Sequence, residues 1–308
     1  MKRLIVLLAL VVATAHGSVS EDSGLTVVVP TYNERENIVP LLSRLASVAE
    51  KLQGLEVIFV DDMSADGTGD AVKRYSRQQM DDGATLSIVL YERDAAEGTG
   101  LSSAVVKGFS LAKRNVICAM DADLSHPPET LPEMERQIRS LGNDFAIGSR
   151  YMDGGGVEGG WPLKRRIISF VASMLARPLV TTSDPMSGFF CTRKAIFGRA
   201  KRQRLNAIGF KIGLEMLVKS RAERVADVPI LFRDRVAGAS KLKMSTQINY
   251  VWQLLQLYMF ACWWCVVLMT VGGCLFTSGI FYLGWRWRGQ RNFRKLPIIP
   301  LWGKEHIV

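Results

Sequence analysis

Asp121 and Asp123 stand one residue apart at the end of a short apolar run, in V-I-C-A-M-D-A-D-L-S-H-P-P-E from 116 to 129. In an extended strand, side chains two apart point to the same side. The two carboxylates can then be presented to one point. In open parallel sheets, ligands bind beyond the carboxyl ends of the strands. Converging carboxylates there suit a hard divalent cation with oxygen ligands, Mg²⁺ or Mn²⁺. Taken alone, a D-A-D is more often a solvated acidic turn ahead of a helix, with Pro127 and Pro128 setting the first turn. His126 can reach a cation at this point or bond locally within its loop.

The elements around this pair decide between the readings. Leu25 to Val29 is β-rich and ends at Pro30. Glu34 to Leu52 has helical spacing at Ile38, Leu41, Leu42, Leu45 and Val48. Leu55 to Val60 is a second strand, closed by Asp61-Asp62, and Asp66-Gly67-Thr68 opens a second helix. Thr85 to Leu90, Val116 to Met120 and Phe145 to Ile147 read as further strands, with a helix from Gly98-Thr99-Gly100 through Phe109. Helices are also expected over Leu163 to Leu175 and Gly209 to Lys219, and a late strand over Val225 to Phe232. Strands alternating with helices predict an α/β fold with a doubly wound, mostly parallel sheet.

Composition adds a membrane. No charged residue occurs from Met244 to Trp285, and the chain carries a formal net charge of +10. Arg286, Arg288, Arg291, Arg294, Lys295 and Lys304 follow, against Glu305 alone. Basic residues beside an apolar run suit anionic lipid headgroups. No RNA- or DNA-binding signature accompanies them, so nucleic acid is not an expected partner. Met244 to Phe260 reads as an interfacial amphipathic helix. Cys262 to Trp285 is long enough for one transmembrane helix, with tryptophans and tyrosines near its ends. Lys2, Arg3, an apolar run from Leu4 to Ala13 and A-T-A form a signal-like start. The expected organisation is a signal-like segment over 1–22, a catalytic domain over 23–243, a membrane-associated segment over 244–285 and a basic tail over 286–308. Five cysteines are too few for a disulfide scaffold, and Cys118 and Cys191 lie in apolar, strand-like runs.

Several blocks follow one another along the chain: V-V-P-T-Y-N-E-R-E-N-I (28–38), F-V-D-D-M-S-A-D-G-T (59–68), G-L-S-S-A-V-V-K-G-F (100–109), M-D-A-D-L-S-H-P-P-E (120–129), G-S-R-Y (148–151), W-P-L-K-R-R-I-I-S (161–169), S-D-P-M-S-G-F-F (183–190), G-F-K-I-G-L-E (209–215) and D-R-V-A-G-A-S-K-L (234–242). Together they resemble the family 2 glycosyltransferases of the GT-A fold. Within that family they resemble most the single-chain enzymes with a C-terminal membrane anchor that act on dolichyl phosphate. The resemblance implies transfer of mannose from GDP-mannose to dolichyl phosphate with inversion, aided by Mg²⁺ or Mn²⁺.

It also implies roles. Pro30, Tyr32, Glu34, Val60 and Asp62 would hold the nucleotide. Asp121, Ala122 and Asp123 would meet the metal and diphosphate, with Ser125 where some relatives have glutamine. Two phosphate-bearing substrates need cations, and guanidinium binds phosphate bidentately. Arg150, Arg235 and Lys241 are implied donor contacts, Arg165 and Arg166 acceptor-phosphate contacts, and Lys211 a further candidate. The ordinary reading of each arginine is a solvated basic face, that of Glu34 a first-turn acid, and that of Asp61 and Asp62 turn chemistry. This chain departs from the pattern at Thr99, where relatives often carry a basic residue, and in the length of 92–98.

Two other activities fit the same blocks: transfer of glucose from UDP-glucose to the same lipid phosphate, and an inactive membrane subunit. The intact Asp121, Asp123, Arg235 and Lys241 argue against the latter. The resemblance places the chain in the endoplasmic reticulum membrane with its catalytic domain in the cytosol. The absence of any Asn-x-Ser/Thr agrees, whereas the signal-like start and the basic tail favour the opposite orientation.

Overall fold

The computed structural model describes residues 24–81, 86–97, 99–159, 161–207, 210–233 and 244–262. The first strands form on the apolar runs: β1 is Leu25–Thr31, followed by α1 (Arg35–Ala49) and β2 (Leu55–Asp61). Next come α2 (Thr68–Asp81), β3 (Leu86–Glu92), α3 (Leu101–Leu111), β4 (Val116–Ala119), α4 (Leu131–Arg139) and β5 (Phe145–Ser149). The chain continues through β6 (Gly156–Val157), α5 (Leu163–Ala176), β7 (Phe190–Arg193), α6 (Lys194–Arg202) and α7 (Ile212–Ser220). It ends with β8 (Val225–Pro229), β9 (Leu231–Phe232) and α8 (Met244–Ala261).

Seven strands form one sheet in the order β3-β2-β1-β4-β7-β5-β8, and β6 pairs with β9 in a second. All neighbours in the large sheet are parallel except β7, which runs antiparallel to both β4 and β5. β2 is buried along its whole length, as strands covered on both faces must be. One face packs Leu41, Leu45, Leu131, Met134 and Ile138 from α1 and α4. The other packs Val105 and Phe109 from α3 with Phe197 and Met216 from α6 and α7. Gly108 lets α3 approach β1 closely, because a Cβ there would meet a Val28 methyl at 2.3 Å.

The predicted α/β, mostly parallel architecture is observed. The late strand expected over 225–232 is broken at Ile230 into β8 and β9, whose partners are β5 and β6. The signal-like segment, the span from 263 onward and the basic tail lie outside the described residues. Among the described residues no helix is long and apolar enough to cross a membrane. The chain divides into two compact units between Leu257 and Tyr258. Within the first unit α8 buries Gln253, Leu254 and Leu257. Its Tyr250 hydroxyl donates to the Ala172 carbonyl of α5 at 2.7 Å, and Gln253 donates to Glu215 at 3.3 Å.

Candidate active site

The carboxyl ends of β1 and β2 build one half of the site. Asp61 and Asp62, adjacent in sequence, have separate tasks. Asp61 accepts hydrogen bonds from Thr31 Oγ1 at 2.9 Å, Ser64 Oγ at 2.7 Å and the Ser64 N–H at 2.9 Å, and so serves the turn. Asp62 faces α3: its Oδ2 accepts the Gly100 N–H at 2.7 Å, and Arg93 forms an ion pair with its Oδ1. The Tyr32 ring is 48 % exposed at the end of β1. Glu34 precedes α1, and its carboxylate accepts from Asn37 Nδ2 at 2.8 Å. Asn33 donates its N–H to Ser64 Oγ at 2.8 Å, and the Glu34 N–H goes to Thr68 Oγ1 at 2.9 Å. The loops after β1 and β2 are thereby locked together. Pro30 is partly exposed, whereas Val60 is fully buried, its main chain paired within the sheet.

The second half lies beyond β4. Here the strand ends at Ala119, before the acidic pair. Asp121 and Asp123 therefore sit in a loop, and strand alternation does not orient them. Leu124 turns that loop with a φ of 63°, in the left-handed region that side chains avoid. Side-chain hydrogen bonds orient the pair instead. Ser125 donates its hydroxyl to Asp123 Oδ1 at 2.6 Å and its N–H to the same oxygen at 3.1 Å. The Asp121 N–H donates to His126 Nδ1 at 3.1 Å. His126 stacks on Phe189 with ring centroids 5.1 Å apart. Burial pushes its pKa below the usual value despite the nearby Asp121 and Asp123. Its Nδ1 is thus committed within the loop. Ala122, between the two carboxylates, is buried.

The loop leading into β7 faces this pair. A Cβ on Gly188 would lie 3.8 Å from both Asp121 carboxylate oxygens and 3.6 Å from His126. Asp184, from the same loop, is fully buried. Arg150, just past β5, grips it at two points, Nε to Oδ2 at 2.7 Å and Nη2 to Oδ1 at 2.8 Å. Burial alone would lower the Arg150 pKa, but Asp184 raises it on balance. The loop is held from below by Asp227, which accepts from Thr182 Oγ1 at 2.5 Å and the Ser183 N–H at 2.7 Å. The Arg150 guanidinium lies 5.1 Å from the centre of the Trp161 ring, and Arg165 lies 4.1 Å from the same centre. Arg166 is exposed on α5.

Lys211 precedes α7 and donates to the Met186 carbonyl at 2.7 Å. Part of the residue is exposed while its ammonium is enclosed. Desolvation, with repulsion from Arg150, lowers its pKa to about 8, against the pull of Asp184 and Asp121.

The structure thus gathers Asp121, Asp123, Arg150 and Lys211 around the loop at 183–189, and Pro30, Tyr32, Glu34 and Asp62 around the ends of β1 and β2. Arg235 and Lys241 lie outside the described residues. Asp184, Gly188 and Arg93 are additions. Their residue types carried no distinguishing signal, although Asp184 and Gly188 fall in the block S-D-P-M-S-G-F-F.

Among the described residues no cluster of three or more His, Cys, Asp or Glu could hold a metal ion by itself. Two carboxylates fit a cation that draws its other ligands from phosphate oxygens and water, as Mg²⁺ does.

The chain is similar to known proteins in sequence and in fold. The model for "Glycosyl transferase family 2" matches residues 26–201. The chain is 42 % identical over 242 residues to the dolichol-phosphate mannosyltransferase of Saccharomyces cerevisiae, covering 76 % of this chain and 87 % of that protein. It is 40 % identical over 250 residues to the dolichol-phosphate mannosyltransferase of Mycosarcoma maydis, covering 79 % and 82 %. Among solved structures, a mannosyltransferase from Pyrobaculum calidifontis in complex with GDP-Man and Mn²⁺ superposes with a TM-score of 0.53 at 19 % identity, covering 79 % of this chain and 65 % of that one. At that identity the likeness speaks for the fold alone. With a matching family model over more than half of its length and relatives at 40 % identity or more along most of theirs, this chain belongs to glycosyl transferase family 2.

Proposed function

We propose that this protein transfers mannose from GDP-mannose to dolichyl phosphate, giving dolichyl β-D-mannosyl phosphate. The observation that carries the reading is the identity of 42 % over 242 residues with a dolichol-phosphate mannosyltransferase, in a chain that keeps the acidic pair and its surrounding cations.

Each half of the site has a task. Tyr32 stacks on the base, while Glu34 and Asp62 accept hydrogen bonds from base or ribose. Asp121 and Asp123 hold Mg²⁺ or Mn²⁺, which when bound offsets the negative charge of the diphosphate. Arg150 and Lys211 add positive charge along the same edge. Asp184 and the aromatic rings fix Arg150 in place, so that little reorganisation is needed as the nucleoside diphosphate departs. The acceptor is a phosphate monoester with a second pKa of about 6. It is already an anionic nucleophile at neutral pH, and no strong general base is required. Attack opposite the leaving group inverts the anomeric centre.

The lipid side of the reading rests on α5 and α8. Leu163 and Phe170 on α5 are 70 % and 62 % exposed, and Trp252 on α8 is 61 % exposed. Exposed apolar side chains on two helices joined by Tyr250 suit a bilayer surface. Arg165 and Arg166, near the start of α5, then meet the acceptor phosphate at headgroup depth. The proposed location is the endoplasmic reticulum membrane with the catalytic domain facing the cytosol. Protease protection in sealed microsomes tests that orientation.

The test of function is an assay of the full chain in membranes with dolichyl phosphate and labelled GDP-mannose or UDP-glucose, with and without chelator. Mannose transfer that chelation and Asp121→Asn each abolish is expected. Glucose transfer in its place, or equal turnover by the Asp121→Asn protein, would overturn the reading.

A further inference from the structure

Arg93 is a buried cation that the reaction above does not use. It follows directly on β3 and is 4 % exposed. A guanidinium so enclosed persists only when paired and hydrogen-bonded. Its fork reaches two other elements. One edge forms the ion pair with Asp62 beyond β2. Nη1 donates to Ser103 Oγ at 2.7 Å and Nη2 to the Gly100 carbonyl at 3.1 Å, both at the start of α3. Asp62 closes the ring by accepting the Gly100 N–H. The Arg93 N–H donates to the Asp61 carbonyl at 2.9 Å.

The connection from β3 to α3 is braced along the same stretch. Asp94 Oδ1 accepts the N–H groups of Ala96 and Glu97 at 2.9 and 3.0 Å. Glu97 accepts from Tyr91 at 2.7 Å and from Lys107 at 2.8 Å. In this chain a basic residue reaches the start of α3 from the end of β3.

We propose that Arg93 is a positioning residue of the nucleotide pocket, holding the Asp62 carboxylate and the start of α3 in one orientation. The inference rests on the reading that Asp62 meets the nucleotide. Without the guanidinium, the Asp62 carboxylate is left buried without a compensating charge. It must turn towards water, and it then no longer presents the same acceptor to a ligand. Lysine cannot substitute, because one ammonium cannot span Asp62, Gly100 and Ser103 with a planar fork.

The experiment uses the full chain in detergent, with GDP binding by calorimetry, steady-state kinetics and thermal unfolding. The variants are Arg93→Lys, Arg93→Met, Asp62→Asn and the double variant Asp62→Asn/Arg93→Met. Arg93→Lys and Arg93→Met should each weaken GDP binding about tenfold or more, the scale of a lost charged hydrogen bond. Donor KM should rise in step, with a smaller change in kcat and none in acceptor KM. The double variant removes both buried charges, so it folds even where Arg93→Met does not, and it should bind GDP no more weakly than Asp62→Asn. That non-additivity is the signature of action through Asp62. GDP binding at wild-type strength by Arg93→Lys, or fully additive losses in the double variant, would overturn the proposal and leave the mannosyl-transfer reading intact. A wild-type chain that binds no GDP would remove that reading, and this inference with it.

Discussion

Arg150 and Asp184 form a two-point ion pair between the end of β5 and the loop entering β7, with the carboxylate fully buried. Such a pair adds little net stability when intact, because both ions lose their water. It does fix the guanidinium plane and tie it to the loop that carries Gly188. Asp184→Asn leaves an uncompensated buried cation and should cost about 3–5 kcal/mol, read by urea unfolding. Arg150→Lys keeps the charge but loses the fork. Its turnover should fall by about 10²-fold, the scale of one preorganised donor. Full activity of Arg150→Lys would separate the pair from the reaction.

A Cβ at Gly188 would stand in ordinary van der Waals contact with both carboxylate oxygens of Asp121, 3.8 Å away. An alanine methyl fits there without a clash. Gly188→Ala should therefore unfold at the wild-type temperature, while its apparent affinity for divalent cation falls about tenfold through loss of an oxygen-facing position. Titration of activity with Mn²⁺ checks this, and an unchanged midpoint would show that the face is not used.

Lys211 gives opposed pH dependences. Its folded-state pKa is lowered from 10.5 to about 8. Below about 8 the lysine is charged in both the folded and unfolded states. Between about 8 and 10.5 the unfolded chain binds more protons, so this group's contribution to stability rises with pH. The charge available to a phosphate disappears over the same window. Donor kcat/KM, which reports the free enzyme, should fall above pH 8 as stability increases. Lys211→Met should flatten both limbs. A kcat/KM that stays level to pH 9.5 would exclude the ammonium from donor binding.

The position of α8 governs where the chain can be cut. Leu254 and Leu257 are buried, and Gln253 reaches the enclosed carboxylate of Glu215. Truncation before Met244 removes these contacts. At about 1.5–3 kcal/mol for each buried leucine, it should cost several kcal/mol in a urea titration. Truncation after Cys262 should keep the domain folded and active on detergent-dispersed acceptor. Equal unfolding midpoints for the two truncations would show that α8 contributes nothing to the fold.

Much of this architecture was legible because it rests on local patterns. The apolar runs at 25–29 and 55–60 became β1 and β2, and the stripe from Ile38 to Val48 became the buried face of α1. Asp121 and Asp123 were recognisable by type and spacing, but their orientation was not. It depends on the early end of β4 and on hydrogen bonds from Ser125 and to His126. Asp184 and Arg93 were beyond local reading for a physical reason. Each owes its burial to a partner 34 or 31 positions away, brought close only by the sheet. The separate tasks of Asp61 and Asp62 were likewise invisible, since two adjacent carboxylates differ only in what surrounds them.

β7 runs against its neighbours, so at the ligand-binding edge the sheet meets the segment entering this strand and not the one leaving it. The chain from Arg150 to Phe189, α5 included, therefore departs from that edge and returns to it. The nucleotide half is built on β1, β2 and the start of α3, which that detour does not interrupt. Such an excursion can lengthen, shorten or change its surface chemistry over evolutionary time while the strand order stays fixed. A single scaffold can in this way hold its β1 and β2 half fixed while the surface that α5 presents changes.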